Sequence, residues 1–137
     1  STTSKLLGNH GINTFTASNG RDALAVLDEK KNIDVVILDI KMPGMDGVET
    51  LRHITRRHPL VKVILLTGHA SVDTAISGMK LGAFDYVMKP CDIGDLMQKV
   101  LKAFQVKRAA DERILKAKID RIISSPLAVF EENPERD

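Results

Sequence analysis

The stretch Val35-Val36-Ile37-Leu38-Asp39-Ile40-Lys41-Met42-Pro43-Gly44-Met45-Asp46-Gly47 decides how this chain is read. Val35 to Leu38, all β-branched or leucine, predict a strand buried on both faces, as in a parallel sheet. The run stops at an acid, and Pro43, Gly44 and Gly47 then break the chain into a loop. Ligands of open α/β sheets bind beyond the carboxyl ends of the strands, so Asp39 stands where chemistry is expected. A carboxylate there can serve as a metal ligand, a base or a phosphoryl acceptor, and the plain alternative is an acid that only ends a strand.

Outward from that strand the pattern repeats. Downstream, Asp46 is expected to cap a helix with Val48, Leu51 and Ile54 inward, closed by His58-Pro59. Val61 to Leu66 predicts a second buried strand that ends at Thr67. Ser71 caps the fourth helix, which runs through Leu81 with Ala75, Ile76 and Met79 inward and Gly82 as its stop. Phe84 to Met88 is the last strand and ends at Lys89-Pro90; Asp92 then caps a long helical pattern through Leu96, Val100 and Phe104. Upstream, Ser18-Asn19-Gly20 caps a helix whose apolar face is Ala23, Leu24, Val26 and Leu27. Ile12 to Ala17 alternates like a short strand near a sheet edge, and Ser1 to Asn9 reads as the second half of a helix. Strict alternation of strand and helix predicts parallel strands with right-handed crossovers, a doubly wound α/β sandwich.

The 137 residues suffice for one domain with a real core. A net charge of +2 is too small to mark nucleic acid or an acidic membrane as the main partner. The single cysteine, Cys91, excludes an internal disulfide and suits a cytoplasmic setting. No apolar run approaches a membrane span, and the absence of Trp argues against a stacking platform for single-stranded nucleic acid.

Three predicted strands end in turn at Asp39, Thr67 and Lys89. In a parallel sheet these ends share one edge, so a carboxylate, a hydroxyl and an ammonium converge, a set suited to phosphoryl chemistry. Three motifs in this order resemble the receiver domains of bacterial two-component response regulators. Leu38 to Gly47 is similar to the phospho-acceptor loop, Val63-Ile64-Leu65-Leu66-Thr67-Gly68-His69 to the switch-threonine strand, and Ala83-Phe84-Asp85-Tyr86-Val87-Met88-Lys89-Pro90 to the strand of the switch aromatic and the lysine. The resemblance runs from about Leu6 to Phe104. It implies a flavodoxin-like (βα)5 sandwich in which Asp39 accepts a phosphoryl group from a sensor histidine kinase. Lys89 would pair with Asp39 at rest and with a phosphoryl oxygen afterwards, Thr67 would reach toward that group, and Tyr86 would swing inward. The main-chain carbonyl of Lys41 would join Asp39 as a ligand of Mg²⁺. Met42, Gly68 and Pro90 would line the pocket, the side chains of Lys41 and His69 would tune hydrolysis, and the Lys89–Pro90 bond would be cis.

One part of the family pattern is missing. Receivers begin with a strand ending in two acids that hold Mg²⁺, yet the first acid here is Asp22. With Asp39 and one carbonyl alone, Mg²⁺ would be held weakly or not at all. Loss of that central strand is expected to leave a slot between its two neighbours. The natural protein is therefore expected to extend upstream by about fifteen to twenty residues.

Several side chains have plain readings. His69 suits a solvated loop, Cys91 a small apolar filler, Tyr86 an ordinary strand aromatic, and His10, His53 and His58 loop or helix-surface positions. The receiver is expected over residues 1–106, with a helical linker and a disordered acidic end over 107–137. On that linker Ile114, Leu115, Ile119, Ile122 and Ile123 make an apolar stripe on a basic helix, which can extend the last helix, pair with a copy or fold back. Asp111, Glu112 and Asp120 dilute its charge and disfavour DNA binding by this segment.

The function expected is a phosphorylation-driven signalling module whose switch reshapes the face of the fourth helix, last strand and last helix. That change would favour a homodimer or an output domain, with transcription as the output. The alternatives are a pseudo-receiver that binds partners without phosphorylation, and an aspartyl-phosphate phosphatase. The phosphatase would need a second acid where Lys41 stands.

Overall fold

The computed structural model describes residues 11–40, 45–68 and 72–124. Expectations for residues 1–10, for Lys41, Met42, His69 and the Ser71 cap, and for residues 125–137 lie outside these, as does the side chain of Asp46. Four strands, β1 (Thr14–Ala17), β2 (Val35–Ile40), β3 (Lys62–Thr67) and β4 (Asp85–Met88), alternate with α1 (Gly20–Glu29), α2 (Met45–Arg57), α3 (Val72–Lys80) and α4 (Ile93–Ser124). All strand pairs are parallel and the sheet order is β1-β2-β3-β4.

Side-chain alternation along the strands divides the core into two layers. Val36, Leu38 and Ile40 of β2, with Val63 and Leu65 of β3, pack under Leu27 of α1, Leu51 and Ile54 of α2 and Ala75 of α3. Val35, Ile37, Ile64 and Val87 face the other way, onto Leu96, Val100 and Ala103 of α4. The near-continuous apolar run of β2 is explained by these two covered faces. Asn19 caps α1 as expected: the amide of Asp22 donates to its Oδ1 at 2.9 Å, and its Nδ2 donates to Asp22 Oδ2 at 2.9 Å. Gly82 stops α3 with φ +108°.

Four expectations need correction. The slot does not exist: β1 pairs directly with β2, from Thr14↔Val35 to Ala17↔Leu38. Open strand edges leave main-chain donors and acceptors unpaired, and closing the two edges on each other satisfies them. Ile76 and Met79 are not inward but 50% and 37% exposed. The inward face of α3 is Thr74, Ala75 and Gly78, because the helix lies too close to β3 for larger groups: a Cβ on Gly78 would sit 2.5 Å from Leu65 Cδ1. Strand β2 runs on past Leu38 to Ile40, so Asp39 lies within the ladder, opposite Leu66. His58 is not an open surface residue: it is only 15% exposed in its side chain and takes part in an ion cluster described below. Of the courses expected for the tail, the structure shows extension of the last helix: α4 runs unbroken to Ser124, and Leu115, Ile122 and Ile123 are 58%, 51% and 74% exposed.

Candidate functional site

Parallel pairing brings the carboxyl ends of β2, β3 and β4 into a staircase. Asp39 lies opposite Leu66, Ile40 opposite Thr67, and Thr67 opposite Met88, one residue before Lys89. The amide of Lys89 donates to the carbonyl of Thr67 at 2.7 Å, which extends the ladder past β4 and fixes where the lysine leaves the sheet. The Lys89–Pro90 peptide is cis.

At this edge Lys89 Nζ stands 2.6 Å from Asp39 Oδ1. The contact falls short of hydrogen-bond angles, so its attraction is that of an ion pair. The carboxylate side chain is 16% exposed and the lysine 39%, so the pair is desolvated on one side and open on the other. Such a carboxylate keeps a lone pair within reach of an incoming electrophile, while the ammonium beside it offsets the negative charge of a transferred group. Thr67 is fully buried, and its hydroxyl donates to the carbonyl of Gly68 at 3.2 Å. Among the described residues, no atom lies within 4 Å of where a Cβ on Gly68 would stand. Tyr86 is 42% exposed and lines a groove between β4 and α4 with Cys91, Asp95 and Lys99. The structure thus brings Asp39, Lys89, Thr67, Gly68 and Pro90 to one edge, with Tyr86 outside the site.

Among the described residues, no group of three or more His, Cys, Asp or Glu could hold a metal ion. Lys89 meets one oxygen of Asp39, and the second oxygen is the one through which Asp39 would ligate Mg²⁺; the Lys41 carbonyl lies outside the described residues.

Two ion clusters escaped the sequence reading. Asp34, the residue before the predicted strand, is 1% exposed and meets Lys107 and Arg108 of α4. An acid inside the apolar run Ile33 to Ile37 was its one visible signal. Asp28 at the end of α1 pairs with Arg57 and, at 2.9 Å, with Nε2 of His58. The His58 hydrogen bond, helped by the Arg57 charge, outweighs partial desolvation and holds the Asp28 carboxyl below its ordinary range.

Residues 1–101 match the family model described as response regulator receiver domain. The chain is 42% identical over 99 residues to the DNA-binding transcriptional regulator NtrC of Salmonella typhimurium, covering 72% of this chain and 21% of that protein. It is 38% identical over 117 residues to the putative response regulator NtrX-like of Rickettsia bellii, covering 83% of this chain and 24% of that protein. The chain therefore spans about a quarter or less of these curated relatives. Among solved structures, a response regulator receiver domain protein from Clostridium thermocellum shares 41% identity at a TM-score of 0.66, covering 78% of this chain and 86% of that one. NtrX from Brucella abortus shares 29% identity at a TM-score of 0.67, covering 80% of this chain and 24% of that one. With its parallel sheet and its acid at the carboxyl edge, the chain belongs to the response regulator receiver domains.

Proposed function

We propose that Asp39 accepts a phosphoryl group from the phosphohistidine of a sensor kinase. A carboxylate oxygen attacks phosphorus, the P–N bond to the kinase imidazole breaks, and the imidazole leaves with the electron pair and takes a proton. The product on this chain is an acyl phosphate. Lys89 follows the charge from the carboxylate to the phosphoryl oxygens, and Thr67 turns its hydroxyl from the Gly68 carbonyl toward the new group. Tyr86 moves into the space that this rotation leaves, which reshapes the face of α3, β4 and α4. That face is the one proposed to meet a second copy or an output domain, and transcription is the proposed output. Two arrangements of the face must differ in their contact energy with the phosphoryl group, or phosphorylation would shift nothing.

The observation that carries this reading is the 2.6 Å approach of Lys89 Nζ to Asp39 Oδ1 at the carboxyl edge of the sheet. Intact mass after incubation with acetyl phosphate, with and without Mg²⁺, tests it beside Asp39→Asn. A single phosphoryl mass gained by the chain and not by the variant is expected. No phosphoryl mass gained by either would overturn it and favour a pseudo-receiver that binds partners without phosphorylation, and an equal gain by both would place the group elsewhere than on Asp39.

A further inference from the structure

We propose that Asp34 is the joint by which the sheet sets the direction of the projecting half of α4. The buried face of α4 recurs at Leu96, Val100 and Ala103, and the next position in that spacing is Lys107. A lysine there ends the apolar packing, yet its side chain is only 12% exposed, because Nζ reaches Asp34 Oδ1 at 3.2 Å. The neighbouring Arg108 sets Nε 3.3 Å from the same oxygen and Nη2 3.3 Å from Oδ2. Its guanidinium also lies 5.2 Å from the centre of the Phe104 ring. Asp111, one turn further on, holds Lys107 from the other side at 2.6 Å.

Asp34 is tied into the sheet as firmly as into the helix. The amide of Asn13 donates to Oδ2 at 3.2 Å, the amide of Asp34 donates to the Asn13 carbonyl at 2.8 Å, and the amide of Lys62 donates to the Asp34 carbonyl at 3.1 Å. One residue thus joins the sheet to a single turn of α4: its carboxylate holds the start of β1 and the helix, while its main chain pairs with Asn13 and with Lys62 of β3. Beyond this turn Glu112 to Ser124 are all exposed, so among the described residues no buried contact ties the sheet to the helix further along. Apolar contact tolerates sliding and rotation, whereas moving the cations away from the buried Asp34 carboxylate strands a charge. An exposed helix of this length frays and bends without an anchor. The direction of α4 past Ala103 therefore follows Asp34, and whatever continues or docks on the far end takes its orientation from the amino edge of the sheet. The joint needs no phosphoryl group and stands apart from the chemistry at Asp39.

Electron–electron distance spectroscopy tests this on the full chain carrying Cys91→Ala, with nitroxides on Arg56→Cys and Lys118→Cys and dilution by unlabelled chain. A narrow distance distribution is expected, lost in Asp34→Asn and in Lys107→Gln and retained in Lys107→Arg. Should Asp34→Asn fail to fold, Lys107→Gln and Arg108→Gln decide, the second removing an exposed partner and leaving the Asp34–Lys107 pair. A distribution already broad in the parent, or one as narrow in the variants, would overturn the joint and leave apolar packing as what directs the helix.

Discussion

Strand β2 is flanked by an acid–cation pair at each end, and the two differ mainly in water. At the carboxyl end Asp39 faces one lysine that is itself more than a third exposed. At the amino end Asp34 is 1% exposed and is held by two cations and a main-chain amide. An open pair can trade partners, because water covers whichever group is left alone. A buried cluster cannot, because a stranded charge loses both its partner and its hydration. The same residue types therefore suit the proposed phosphoryl site at one edge and the proposed structural tie at the other.

The largest effect on stability is expected at the buried end. Asp34→Ala strands Lys107 against the sheet with Asp111 as its remaining partner, and a loss of about 3–5 kcal/mol is expected in urea unfolding. Replacing Lys107 by Met in the same chain should recover part of that loss, since no nearly buried cation remains. A double variant as unstable as Asp34→Ala alone would mean that the shape of Asp34, and not its charge, is what matters. The comparison between the two ends would then fail.

A smaller change is expected at the open end. In Asp39→Asn the Lys89 ammonium rotates into solvent, so unfolding should shift by no more than about 1 kcal/mol while phosphorylation disappears. A loss as large as that at Asp34 would show that Asp39 also carries the sheet, and the division between site and tie would need redrawing.

How far each end could be read in the sequence follows from the same physics. Asp39 was legible because the apolar run, the acid and the Pro-Gly loop are contiguous, and contiguous patterns report local structure. Thr67 and Lys89 followed because parallel strands bring their carboxyl ends to one edge whatever lies between them. The Asp34 cluster spans 74 residues to Arg108, and no local pattern encodes that closure. The inward face of α3 was misread because Ile76 and Met79 have the right spacing, and only the distance of Gly78 from Leu65 shows that no room exists for them. The closed β1–β2 edge was likewise out of reach, since pairing between strands is a property of the sheet and not of either segment.

The third cluster, at the ends of α1 and α2, extends the comparison to a more open carboxylate and the smallest effect. His58 and Arg57 hold the Asp28 carboxyl below its ordinary range, so this group is charged in the folded chain at pH values where it is protonated in the unfolded one. A lowered folded value contributes stability that is fully present above the unfolded value and is lost as pH falls through the folded one. Wild type and Asp28→Asn should therefore differ slightly in urea midpoint at neutral pH and converge as pH drops through and below the carboxylate range. The Asp28 side chain is 40% exposed, so the difference should be modest and should shrink further in high salt. A gap that widens toward acid would reverse the sign and show that the aspartate is held protonated. A gap as large as that at Asp34 would show that water access does not grade these clusters.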